Sequence, residues 1–224
     1  MIKAVIMDLD NTLYDYDFCH QQSMDILRYY MKREYSLDER VFNEVFTRAR
    51  KKVKGRLSDT ASSHNRLLYM QSFLEELGCF SISAALRCYE IYWGSMLEKM
   101  TPFDYVYPLL ERLEEKGIKM AVLTDLTAHI QYRKVMRLGI DKFISALVTS
   151  EEVGKEKPDL LGFQETIRKL DIHPWEALMI GDSLSKDIKG AEKAGIYTLL
   201  FSKEWEGQME KMCMELIYGE EDKK

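Results

Sequence analysis

Residues 4–15 read AVIMDLDNTLYD. An apolar run stops at Asp8, and a second acid, Asp10, follows one residue later. The apolar part shows no clean period-two alternation, which suits a strand buried on both faces, as in a parallel sheet. Two carboxylates at the end of such a strand repel each other and lose hydration. That cost needs a nearby cation or a chemical task to offset it.

Further short runs of the same kind end in polar residues: KMAVLTD (119–125), ISALVTSEE (144–152), ALMIGDS (177–183) and YTLLFS (197–202). Helical patterns fall between them. VYPLLERLEEKG and TAHIQYRKVMRLG each close on glycine, a common helix stop, and PDLLGFQETIRKLD and SKDIKGAEKAG follow the third and fourth runs. This alternation predicts an α/β fold with right-handed crossovers. Residues 15–100 do not alternate, and read as helices over roughly 17–34, 38–53, 62–77 and 81–99. The expected architecture is a Rossmann-like parallel sheet core flanked by helices, residues 1–14 and 101–224. A helical insertion, residues 15–100, follows the first strand.

The composition narrows the function classes. With 224 residues, 46% hydrophobic and 31% charged, the chain reads as an ordinary globular protein, with disorder expected only over the closing GEEDKK. A net charge of −5 argues against nucleic acid as a partner. Cys19, Cys79, Cys88 and Cys213 show no Cys-x-x-Cys spacing, so neither a disulfide framework nor a structural zinc site is expected. MIKAVIMDLD is not a signal-peptide pattern, and no apolar run approaches the ~20 residues of a membrane span. A cytoplasmic protein without a membrane partner is the expectation; oligomeric state leaves no pattern in the sequence.

In an open parallel sheet the carboxyl ends of the strands face the ligand crevice. Here they carry Asp8 and Asp10, Thr124 and Asp125, Ser150 to Glu152, and Asp182, with Lys157 just beyond the third run. Such a rim of acids calls for a hard divalent cation, and Mg2+ suits carboxylates, phosphate and water. Histidine is missing from these strand ends, which argues against zinc. A carboxylate is also a competent nucleophile toward phosphorus. Asp8 can attack, Lys157 and the metal can offset charge, Thr124 can donate to a phosphoryl oxygen, and Asp10 can move the proton.

DLDNT (8–12), LTD (123–125), GKEKPD (154–159) and GDSLSKDIKGAEKAG (181–195) together resemble, in order, the four motifs of the haloacid dehalogenase-like hydrolase superfamily. The resemblance covers nearly the whole chain. It implies a phosphatase with an α-helical cap domain at residues 15–100, working through an aspartyl-phosphate on a small phosphorylated metabolite. It implies Asp8 as nucleophile and Asp10 as general acid/base, with Asp10 also binding Mg2+ through its backbone carbonyl. Thr12 would support that loop, and Thr124 and Lys157 would bind phosphate. Asp8, Asp182 and Asp187 would complete the metal site. Asp125 departs from the neutral residue many relatives carry, and beside a phosphate it must be paired or turned away.

Other readings stay open at this stage. Asp187 near a helix start also complements a helix dipole, and Thr124 also serves as a helix cap. His64 and Arg66, at a break between insertion helices, are candidates for gripping a substrate anion or for a capping role. The basic run RARKKVKGR (48–56) reads as a solvated helix face. A phosphomutase would share the core motifs. A haloacid dehalogenase would use the same nucleophile, but that branch lacks an acid at the position of Asp10. A non-catalytic phosphate-binding regulatory module would not need the intact set of Asp8, Asp10, Lys157 and Asp182.

Overall fold

The computed structural model describes residues 1–58 and 60–219. The tail expected to be disordered, apart from Gly219, lies outside the described residues. By its internal contacts the chain divides into two compact units. One is residues 1–15 with 101 onward, the other residues 16–100.

The first unit is built on β1 (Ala4–Met7), with the order of the second part running α5 (Val106–Glu115), β2 (Lys119–Thr124), α6 (Ala128–Leu138), β3 (Ala146–Thr149), α7 (Ser150–Val153), α8 (Leu160–Leu170), β4 (Ala177–Gly181), α9 (Lys189–Lys193), β5 (Tyr197–Leu200) and α10 (Met209–Tyr218). The strands form one parallel sheet in the order β3-β2-β1-β4-β5. Every residue of β1 and β4 is buried, as their unalternating apolar runs require of strands covered on both faces. On one face Phe163, Ile167 and Leu170 of α8 join the core cluster of Ile6, Leu123, Val148 and Met179. The strand order reverses beside β1, between β1 and β4. In a sheet of this kind that point opens the ligand crevice.

Register then places the acids. Met7 pairs with Val122 on one side and with Ile180 on the other. The Asp8 N–H donates to the Ile180 carbonyl at 2.9 Å, so Asp8 is the first residue past the ladder on the central strand. The third run ends its strand at Thr149 rather than at the acids, and Ser150 to Val153 turn into α7. Glu151 is thereby withdrawn from the rim: it accepts the Ala128 N–H at 2.8 Å at the start of α6, while Glu152 pairs with Lys169.

The second unit holds α1 (Tyr16–Tyr35), α2 (Glu39–Arg56), α3 (Arg66–Glu76) and α4 (Ile82–Lys99). Asp38, Asn65 and Ser81 cap the last three through their side chains. α1 packs on α4, and α2 on α3. The interior is aromatic: Phe42 meets Phe73 edge-on with centroids 5.0 Å apart, and Tyr92 meets Trp93 the same way, also at 5.0 Å. The single helix expected over roughly 62–77 is instead a 3-10 turn, Ala61–His64, followed by α3. Asn65 explains the split, since its extended backbone and its side-chain bond to the Leu67 N–H start a new helix. The basic run lies on α2, with Ala49 and Val53 turned inward, so it is largely a solvated face.

Candidate active site

The carboxyl ends of β1, β2 and β4 gather one charge cluster in the first unit. Lys157 is its hub: Nζ donates to Asp8 Oδ1 and to Asp187 Oδ1, both at 2.6 Å, and to the Leu123 carbonyl at 3.1 Å. All three charged side chains are buried. Thr12, buried one turn on, donates its hydroxyl to Asp8 Oδ2 at 3.3 Å. Asp187 Oδ2 accepts the Ser183 N–H at 2.9 Å, which locks the turn after β4. Asp182 is exposed, and one carboxylate oxygen from each of Asp8, Asp182 and Asp187 lies within 4.8 Å of the others.

One lysine cannot neutralise so many acids. Burial pushes the Asp8 carboxyl up to about 8; Lys157 opposes the shift, and Asp187 and Asp10 add to it. Desolvation at the strand end, reinforced by Asp187, raises Asp182 to about 6. Burial by itself would lower the Lys157 ammonium, but Asp8, Asp187 and Asp125 outweigh it and drive the value well above the ordinary lysine range. The cluster therefore holds a firmly charged lysine among carboxylates that still lack positive charge. Its donors are oxygens alone, closely spaced, and this set fits a hard divalent cation such as Mg2+.

Gly181 makes the arrangement possible. A Cβ on Gly181 would lie 2.5 Å from Cβ, Cγ and Oδ2 of Asp187. Gly181→Ala is therefore expected to displace Asp187 and strip Lys157 of one partner, costing about 1–3 kcal/mol by overpacking alone. Urea unfolding of the variant measures this, and a midpoint equal to that of the parent would contradict it.

Thr124 ends β2 and is buried. Gln131, wholly buried on α6, donates Nε2 to Thr124 Oγ1 at 2.5 Å and to the Asp125 carbonyl at 2.8 Å. The Thr124 hydroxyl thus accepts from Gln131 and itself donates to the Asp125 carbonyl, at a long 3.3 Å. Asp125 is paired on both oxygens: Oδ1 accepts the Lys157 N–H at 2.9 Å and Oδ2 the Lys186 ammonium at 2.7 Å. The acid is thus paired, one of the two arrangements the sequence allowed for it. The following residue, Leu126, has φ +95°, a strained value for leucine, and Ser150 Oγ holds it by accepting its N–H at 2.9 Å.

Asp10 stands apart from the three-carboxylate group. Its Oδ1 accepts the Tyr14 hydroxyl at 2.6 Å, and its two oxygens accept Lys134 Nζ at 2.7 and 2.8 Å.

His64 and Arg66 belong to the helical unit. Arg66 is buried, donating Nη1 to the His64 carbonyl at 2.7 Å and Nη2 to the Tyr16 hydroxyl at 2.5 Å. Its guanidinium lies 5.3 to 5.9 Å from the ring centroids of Tyr69, Tyr92 and Trp93. Among the described residues it has no carboxylate partner. Beside it His20 is stacked on Tyr16 and hydrogen-bonded through Nδ1 to the Tyr92 hydroxyl at 2.7 Å. Burial, with Arg66 and Arg50 adding, lowers His20 to about 4.

Sequence reasoning missed Gln131, Lys134, Lys186 and Tyr14. A signal for the first two exists in HIQYRKVMRLG: Gln131 and Lys134 fall on the same stripe as Ile130, Val135 and Leu138, where an amphipathic helix ordinarily places apolar residues.

Residues 5–201 match the family described as haloacid dehalogenase-like hydrolase. A ribulose-1,5-bisphosphate 5-phosphatase from Halopiger xanaduensis is 38% identical over 90% of this chain and 85% of its own length. A glyceraldehyde 3-phosphate phosphatase from Methanopyrus kandleri is 33% identical over 89% of this chain and 83% of its own. Among solved structures, a 2-haloacid dehalogenase from Pseudomonas syringae superposes with a TM-score of 0.72 at 26% identity, covering 90% of this chain and 86% of that one. The chain belongs to the haloacid dehalogenase-like hydrolase family.

Proposed function

We propose that this protein is a Mg2+-dependent phosphatase of small phosphorylated metabolites, with Asp8 as the nucleophile. The observation that carries the reading is the buried Asp8 at the end of the central strand, bound at 2.6 Å by a lysine and clustered with Asp182 and Asp187. Asp8 attacks phosphorus, the bond to the ester oxygen breaks, and Asp10 gives that oxygen a proton. Lys157 and the Thr124 hydroxyl meet the charge on the phosphoryl oxygens. Asp10 then takes a proton from the water that attacks the phosphorus and releases phosphate, returning Asp8 as a carboxylate. Asp8, Asp182, Asp187 and the Asp10 backbone carbonyl are the groups that would hold Mg2+, which when bound supplies positive charge to the transferring phosphoryl group.

Substrate choice is assigned to the helical unit, residues 15–100, with His64 and Arg66 as candidates for an anionic substrate group. The two curated relatives make ribulose 1,5-bisphosphate and glyceraldehyde 3-phosphate the first substrates to test. The haloacid dehalogenase alternative is disfavoured by Asp10. A phosphomutase would return an isomer where a phosphatase returns free phosphate, so one assay separates them. The working location is the cytoplasm. The described residues include no helix long and apolar enough to cross a membrane, and none of the four cysteines is in a disulfide among them. The deciding experiment is phosphate release from a panel of sugar, triose and acid phosphates, with and without Mg2+. Metal-dependent release supports the reading, and binding without turnover across the panel overturns it.

The raised carboxyl values add a test that needs no substrate. The unfolded Asp8 loses its proton near 3.8, whereas the folded one keeps it to about 8. Over that window the folded state binds more protons than the unfolded state, so stability falls as pH rises. Asp182 acts in the same direction between 3.8 and about 6. Mg2+ binds the ionised carboxylates and opposes the loss. Thermal midpoints are expected to gain more from Mg2+ at pH 8 than at pH 5, and an equal gain at both would contradict the assignment of these acids to the metal.

A further inference from the structure

The inner face of α6 carries a lysine that the phosphatase reading does not use. Lys134 lies among Ile130, Val135 and Leu138 on the buried stripe of that helix, and its side chain is 0% exposed. Its ammonium reaches both oxygens of Asp10, at 2.7 and 2.8 Å. Asp10 itself keeps 26% of its side chain exposed. The Tyr14 hydroxyl closes on Oδ1 at 2.6 Å, and the Tyr14 ring centroid lies 5.9 Å from the ammonium.

Burying an ammonium costs several kcal/mol, and an apolar residue of similar length would ordinarily serve a packed helix face at least as well. A lysine there needs a reason, and its ammonium meets both oxygens of a carboxylate that is itself partly open to solvent. Three donor contacts fix the plane of that carboxylate: two from Lys134, one from Tyr14. Gln131, one turn earlier on the same stripe, does the equivalent for Thr124. We propose that Lys134, seconded by Tyr14, is the positioning residue for Asp10, holding its carboxylate where it accepts the proton of the attacking water. This rests on the acid/base reading of Asp10.

The step served is the second half of the reaction. A water oxygen bonds to the phosphorus carried on Asp8, and the bond from phosphorus to the Asp8 oxygen breaks with its electron pair returning to the carboxylate. The water proton passes to Asp10, and phosphate leaves. With 4-nitrophenyl phosphate the first half is indifferent to Asp10, because nitrophenolate departs without a proton.

Rapid-quench kinetics on the full-length protein with Mg2+ and 4-nitrophenyl phosphate test the proposal. Lys134→Met is expected to release nitrophenolate in a burst of one equivalent and then turn over about 10²-fold more slowly than the parent. Asp10→Asn should give the same pattern with a larger fall, and Tyr14→Phe a smaller one. A lysine that merely supports the fold would lower burst and steady rate together, and that result, or an unchanged steady rate, overturns the proposal. If Lys134→Met does not fold, Lys134→Gln with Tyr14→Phe decides in the same way: unchanged steady turnover in both rejects it. Asp10→Asn without the burst pattern would instead remove the acid/base reading. The pattern in Asp10→Asn but not in the Lys134 variants removes this inference alone.

Discussion

Asp8→Asn is expected to abolish phosphate release, by about 10⁴-fold or more, while leaving the fold intact. The amide is nearly isosteric with the carboxylate. Its oxygen can still accept from Lys157, and its Nδ2 can donate to Thr12 Oγ1, so no buried polar atom is orphaned by the change. What disappears is the anionic carboxylate oxygen that attacks phosphorus, since a neutral amide oxygen is a far poorer nucleophile. Below about pH 8 the folded Asp8 already holds a proton, so the neutral amide changes the charge of the cluster little, and unfolding should show stability within about 1 kcal/mol of the parent. Loss of turnover with an unchanged unfolding midpoint separates chemistry from structure. Residual turnover above a hundredth of the parent rate would show that another group attacks.

Lys157→Met is expected to damage both stability and catalysis. Lys157 joins three acceptors: Asp8, Asp187 and the Leu123 carbonyl. Its removal leaves two buried carboxylates without a cation, and breaking a buried pair in this way typically costs about 3–5 kcal/mol. Lys157 is the group that opposes the upward shift of Asp8, so its loss holds the Asp8 proton more firmly, and a protonated Asp8 is no nucleophile. Loss of a preorganised charge beside the phosphoryl group is worth about 10²–10³ in rate. Arginine should not rescue: its planar fork cannot replace a point charge that meets three acceptors inside a closed site. Urea melts and turnover on the same preparations check both halves. A variant within 1 kcal/mol and tenfold of the parent would mean that Lys157 is not the hub of the site.

The parts of this site that could be read from the sequence are those fixed locally. The unalternating runs at 4–7 and 177–180 became strands with both faces covered, because a continuous apolar strand has no solvated side to offer. Asp8 and Asp182 flank the same crevice because each directly follows such a run and the two strands pair in register. What could not be read depends on contacts far apart in the chain. Lys134 is 124 positions from Asp10, and nothing local marks their meeting except a lysine on an apolar stripe. Lys186, 61 positions from Asp125, is what makes that extra acid tolerable, and the pairing needs the turn after β4 to fold back on the loop after β2. The acids at 151 and 152 misled for the opposite reason. They follow an apolar run as Asp8 does, but Thr149 accepts the Glu152 N–H and starts a helix, which carries them to a cap and an ion pair.

The central claim is that Asp8 carries the phosphoryl group during turnover. Acid-quenched enzyme, trapped during the steady state with Mg2+ and 4-nitrophenyl phosphate and digested for mass spectrometry, tests it directly. One phosphoryl group on the peptide spanning Asp8, lost in Asp8→Asn and enriched in Asp10→Asn, is the expected result. Phosphate release with Asp8 unmodified in every quench, or the label on another residue, would contradict the account.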